Sequence, residues 1–132
     1  MATKETVYLS YAETVLIHIR LMQALGETRY GVDFRELIES ALHRPQHAAI
    51  YENADIIRRS ATLLFGLIKN HPWLGGNKHT ATTLLQRFLE LNGYRKNWKI
   101  TEQIELVLLV ESDAWKVDEI ESWLRERVIA SE

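Results

Sequence analysis

The sequence predicts an all-α fold, a compact bundle of about six helices, and three observations predict it. Apolar residues recur at helical rather than alternating spacing, as in Ile57, Ala61, Leu64 and Ile68. Only two prolines occur, Pro45 and Pro72, and both fall at breaks in that periodicity. Helix-capping sequences open two of the segments, at Ser10–Glu13 and Asp33–Glu36, and the bundle leaves room for a short flap or a small hairpin. At 132 residues, with 46% hydrophobic and 26% charged residues, the chain reads as one globular domain with its core over residues 7–128.

The elements follow in order. Ser10-Tyr11-Ala12-Glu13 is a capping box, a hydroxyl at the N-cap and a carboxylate three residues on. It opens a helix through Val15 to Leu25, which Gly26 ends. Asp33-Phe34-Arg35-Glu36 repeats the capping logic and opens a short helix to His43, stopped by Arg44-Pro45. Residues 46–52 read as a loop or an extended flap. A helix over 54–69 buries Ile57, Ala61, Leu64 and Ile68, and His71 to Gly76 form a turn. The next helix, 77–92, carries Ala81, Leu84, Leu85 and Phe88 on one face, with Gly93 beyond its end. Residues 94–100 read as extended, pairing with Val7-Tyr8-Leu9. Thr101 caps a helix through Ile104 and Leu108, and a last helix over 118–129 turns Ile120, Trp123, Leu124 and Val128 inward.

Charge and composition exclude several function classes. A net charge of −2 gives no basic footprint for nucleic acid. Residues 77–99 are locally basic, with Lys78, Arg87, Arg95, Lys96 and Lys99 against Glu90, which favours an anionic ligand mid-chain; solvated helix faces are the plainer reading. There is no cysteine, so disulfides and thiolate chemistry are out. The start MATKETVYLS has no apolar core, and no run of about 18 apolar residues occurs, so the expectation is a soluble cytoplasmic protein.

The run His71-Pro72-Trp73-Leu74-Gly75-Gly76-Asn77-Lys78-His79 concentrates the chemistry. Gly75, Gly76 and Asn77 lead into a helix, leaving backbone N–H groups unobstructed at its positive end, which makes an anion site. Lys78 adds a mobile positive charge for a phosphate oxygen. His71, at the end of the preceding helix, is placed to take a proton from an incoming hydroxyl. Trp73 reads as the hydrophobic anchor of the loop. On spacing alone, a helix-end histidine is more often a cap than a base and a glycine pair is common in loops, so the structural reading leads.

This run resembles the signature of the Fic/Doc (death-on-curing) family, H-x-F-x-[D/E/N]-[G/A]-N-[K/G]-R. Further segments match in order: Tyr8-Leu9-Ser10 with Val15 and His18, Gly31-Val32, and Leu37 to Pro45 for the opening helices. Phe88-Leu89-Glu90-Leu91-Asn92-Gly93-Tyr94 and Trp123-Leu124-Arg125 follow, so the resemblance spans about residues 7–128. It implies an α-helical Doc-type toxin of a toxin–antitoxin system. Such a protein transfers a phosphoryl or nucleotidyl group from a nucleotide, ATP above all, to a protein hydroxyl. Doc toxins act on a translation factor, elongation factor Tu, and an antitoxin in trans silences them; no inhibitory [S/T]-x-x-x-E-[G/N] stretch occurs within this chain. By the resemblance His71 and Lys78 are the catalytic residues, and Gly75, Gly76, Asn77, Lys78 and His79 bind the nucleotide. Residues 46–52 would be the flap that docks the target.

Two positions depart from the family pattern. Gly75 stands where an acid or amide helps hold Mg²⁺, which needs hard oxygen ligands, so no metal ligand is assigned. His79 replaces the arginine that grips distal phosphates. Each loss removes about 2–4 kcal/mol of transition-state stabilisation. The alternative reading is therefore a weak or silent Doc-fold module that binds a nucleotide or a partner protein. Arg58 or Arg59, turned toward His71, would compensate in part. Elsewhere His18 reads as a satisfied core histidine, His43 and His47 as flap surface, and Trp98, Trp115 and Trp123 as packing anchors.

Overall fold

The computed structural model describes residues 5–131 and shows six helices with one two-stranded ribbon. The helices are α1 (Tyr11–Ala24), α2 (Arg35–Glu52), α3 (Ile56–Asn70), α4 (Asn77–Leu91), α5 (Ile100–Glu111) and α6 (Val117–Arg127). The strands are β1 (Tyr94–Lys96) and β2 (Val128–Ala130).

α3 is the central element. Its residues Ser60 to Leu64 and Gly66 to Ile68 are buried, nearly all round the helix, as expected where α2, α4, α5 and α6 all pack against it. Asp55 caps it, its Oδ1 accepting from the Arg58 N–H at 2.9 Å. The predicted stripe Ile57, Ala61, Leu64 and Ile68 lies wholly in this core. Ser10 Oγ caps α1 by accepting from the Glu13 N–H at 3.1 Å, while Glu13 itself leans toward Arg87.

α2 departs from the sequence reading. It does not stop at Arg44-Pro45 but runs on to Glu52, so residues 46–52 are helix and not a flap. The buried positions Ile38, Ala41, Leu42, Pro45 and Ala48 are spaced as one helical stripe, and Pro45 sits in it as an ordinary apolar side chain. Burial of that stripe on α3 outweighs the one backbone hydrogen bond that proline removes. The helix ends only at Asn53, left-handed at φ 52°. At its other end Phe34, not Asp33, is the N-cap, and no side chain caps it.

The extended segment after Gly93 also pairs differently. β1 joins β2 antiparallel, Tyr94 opposite Ala130 and Lys96 opposite Val128, rather than the strand-like start of the chain. Val7 is instead held by the Asn92 side chain, which accepts its N–H at 2.8 Å and donates to its carbonyl at 2.9 Å. A single amide thus replaces one rung of the expected ladder. α6 ends a residue before Val128, which enters β2 half-buried, while Ile120, Trp123 and Leu124 are inward as expected. α5 is capped by Glu102, whose Oε1 accepts the Lys99 N–H at 3.0 Å, and not by Thr101. It buries Gln103, Leu106, Val107 and Val110 and turns Ile104 and Leu108 outward. Trp98 and Trp123 pack at 5.1 Å, and the Trp98 Nε1–H donates to Gln103 at 2.9 Å.

Candidate functional site

The turn between α3 and α4 is built from both sides. α3 ends on His71 at φ 50°, a left-handed conformation that costs a non-glycine residue about 1–2 kcal/mol. That bend leaves His71 exposed and sends the chain back toward the α1–α2 loop. The Pro72 carbonyl accepts from the N–H groups of Asp33 at 3.0 Å and Phe34 at 3.2 Å. Trp73 bridges Val32, and the Leu74 N–H donates to Gly31 at 2.9 Å. Trp73 is 2% exposed, the anchor the sequence suggested.

Asn77 does something the sequence reading did not assign to it. Its side chain is buried, accepting the Trp73 N–H at 3.0 Å and donating to the Trp73 carbonyl at 2.9 Å. The amide therefore clamps the turn and is not free to bind a ligand. The backbone of Asn77 is another matter. α4 starts from Gly76 at φ 67° with no side-chain cap, and its first helical bond runs from the Thr80 N–H to Gly76 at 2.9 Å. The N–H groups of Asn77, Lys78 and His79 thus stand ahead of the bonded ladder, at the positive end of the helix. That is an anion-binding arrangement.

Lys78 and His79 are exposed beside it. Lys78 Nζ lies 3.2 Å from Glu111 Oε1, an acid delivered by the end of α5 that the sequence reading missed. Both groups are about half exposed, so the pair is weak and yields readily to a stronger anion. Lys78 and His79 also line a groove of about 260 Å³ whose far wall is the apolar side of α5, including Ile104 and Val107. Arg58 and Arg59 do not compensate for the missing arginine. Arg58 binds Glu52, Asp118 and Glu121, and Arg59 binds the Ala54 carbonyl and Thr6.

At Gly75 the structure gives a physical reason for the missing acid. A Cβ there would fall inside van der Waals contact with the Arg29 carbonyl oxygen and 3.5 Å from its carbon. The backbone of the α1–α2 loop occupies the space in which an acidic side chain would begin. Among the described residues no group of three or more His, Asp or Glu side chains is placed to hold a metal ion. Within the turn itself, residues 71–79, no side chain carries a carboxylate, the hard oxygen donor that Mg²⁺ prefers. Gly76 is equally constrained, by its positive φ and by Met22, whose sulfur a Cβ would strike.

Of the other histidines, His43 and His47 lie on the exposed side of α2, in a groove with Glu36 and Glu39. His18 is fully buried and doubly hydrogen-bonded, as expected of a core histidine. Burial pushes its pKa from the ordinary 6.5 down to about 4. Between those values the unfolded chain binds a proton that the folded chain does not. Stability contributed by neutral His18 is therefore complete above pH 6.5 and falls as the pH drops toward 4. From pH 6.5 to 5 the expected loss is about 1–2 kcal/mol. Urea unfolding at the two pH values measures it, and His18→Gln should remove most of the difference.

No curated protein matches the chain. The family model described as the Fic/DOC family matches residues 8–89, which takes in α1 to α3, the turn and nearly all of α4. That span is well over half of the chain and contains the whole turn from His71 to His79. The chain belongs to the Fic/DOC family.

Proposed function

We propose that the protein is a Doc-type toxin that transfers a phosphate-containing group from ATP to a hydroxyl of a target protein. The observation that carries this is the uncapped start of α4, with Lys78 on it and His71 at the other end of the same clamped turn. The N–H groups of Asn77, Lys78 and His79 would hold a phosphate, and Lys78 would exchange Glu111 for it. His71 would take the proton of the target hydroxyl as its oxygen attacks phosphorus. The bond from phosphorus to the leaving phosphate oxygen breaks, and ADP or pyrophosphate departs with the electron pair. Because residues 46–52 are helical, no extended flap is on hand to pair with the target's backbone. A translation factor such as elongation factor Tu as target, the cytoplasm as site of action and an antitoxin in trans belong to the same proposal.

Incubation of the protein and its His71→Ala variant with lysate and ATP, labelled at the α or the γ phosphate, tests it. Label on a protein should fall by about 10²–10⁴ in the variant. The α or γ position of the retained label identifies the transferred group. Equal labelling by both proteins overturns the assignment of His71.

The loop backbone over Gly75, with His79 in place of arginine, favours a second reading: a module that binds ATP and does not transfer from it. It requires saturable ATP binding by calorimetry together with no His71-dependent label.

A further inference from the structure

We propose that His18 is a positioning residue for the anion site, acting as a neutral imidazole protonated at Nδ1. The residue lies on α1, outside the turn, and its ring is fully buried. The Gly31 N–H points at Nε2 from 3.0 Å. A backbone N–H only donates, so Nε2 must carry the lone pair. In a neutral imidazole the proton then sits on Nδ1, which is 2.7 Å from Thr80 Oγ1 and donates to it. The ring face lies parallel to the Trp73 indole, centroids 4.1 Å apart and planes 13° apart, with Tyr30 edge-on at 6.2 Å.

Three of those contacts, to Gly31, Thr80 and Trp73, reach the turn or an element bonded to it. Gly31, held through its N–H, accepts the Leu74 N–H on its carbonyl at 2.9 Å. Thr80, held through its hydroxyl, makes the first backbone bond of α4 to Gly76. Trp73, held by stacking, is the residue that the Asn77 amide clamps. One ring thus sets the α1–α2 loop, the anchor of the turn and the first turn of α4 relative to one another. The three free N–H groups of Asn77, Lys78 and His79 lie between those fixed points. A second proton on Nε2 would face the Gly31 N–H and break the set, and burial independently disfavours the charged ring.

The consequence for ATP rests on the function proposed above; the positioning itself does not. Histidine-selective ¹⁵N NMR at pH 7 should show His18 as the Nδ1–H tautomer. Thr80→Val leaves no cavity and removes the acceptor of the His18 Nδ1–H, so it tests the linkage without emptying the core. It should shift the Asn77, Lys78 and His79 amide resonances and weaken ATP about tenfold by calorimetry. Thr80→Ser keeps the hydroxyl and should restore both. A purely structural histidine would lower the melting temperature of Thr80→Val while leaving those amides and the affinity of the folded protein unchanged. That result, or an Nε2–H or charged His18 at pH 7, overturns the proposal. If the wild type binds no ATP while the tautomer and the amide shifts are as expected, the nucleotide reading fails and the positioning role stands.

Discussion

Gly75→Asp is expected to destabilise the protein by about 2–4 kcal/mol and not to create a metal clamp. The acid would start from a Cβ placed against the Arg29 carbonyl oxygen, a backbone atom with no rotamer to escape into. Either the turn or the α1–α2 loop must move, and they are tied to each other by the Leu74–Gly31 and Pro72–Asp33 hydrogen bonds. Gly75→Ala should cost nearly as much, because the clash belongs to the first side-chain carbon and not to the carboxylate. His79→Arg, on an exposed position of α4, should stay within about 0.5 kcal/mol of wild type. Urea unfolding of the three variants separates these costs. A Gly75→Asp protein as stable as wild type would mean that the loop over Gly75 yields easily, and the space for an acid would then be real.

The helical fold was legible because helices announce themselves locally, through period and caps. The stripe Ile57, Ala61, Leu64 and Ile68 and the Ser10 cap needed nothing beyond their own segment. The errors came where a distant partner decided the outcome. Pro45 reads locally as a stop, yet the α3 surface accepts it as one more apolar side chain in the α2 stripe. β1 found β2 at the far end of the chain, while Val7 was taken by the side chain of Asn92. In the turn, the residue types were readable and their division of labour was not. Which face of Asn77 looks inward depends on the Trp73 backbone, and the reason for glycine at 75 lies in Arg29. Glu111 reaches Lys78 only because α5 packs across the core. Chemistry carried by backbone groups, as at the start of α4, survives such surprises better than chemistry assigned to a side chain.

Asn77 is where that distinction can be measured. Asn77→Ala removes the partner of both the Trp73 N–H and the Trp73 carbonyl in a buried site, and the expected cost is about 3 kcal/mol. Asn77→Asp is the sharper variant. One carboxylate oxygen would still accept the Trp73 N–H, but the other would face the Trp73 carbonyl, acceptor against acceptor, in a side chain only 7% exposed. Burial and that carbonyl both disfavour the charge, so its pKa in the folded state is expected above that of the unfolded chain. Once protonated, the acid donates an O–H to the carbonyl and reproduces the amide's two bonds. Relative to wild type, Asn77→Asp should therefore lose stability as the pH rises from 5 to 8; the His18 effect, of opposite slope below pH 6.5, is present in both proteins and cancels in the difference. Urea midpoints across that range check it. A ligand role for the amide would instead leave stability nearly unchanged in both variants and weaken ATP alone, which the two hydrogen bonds to Trp73 argue against.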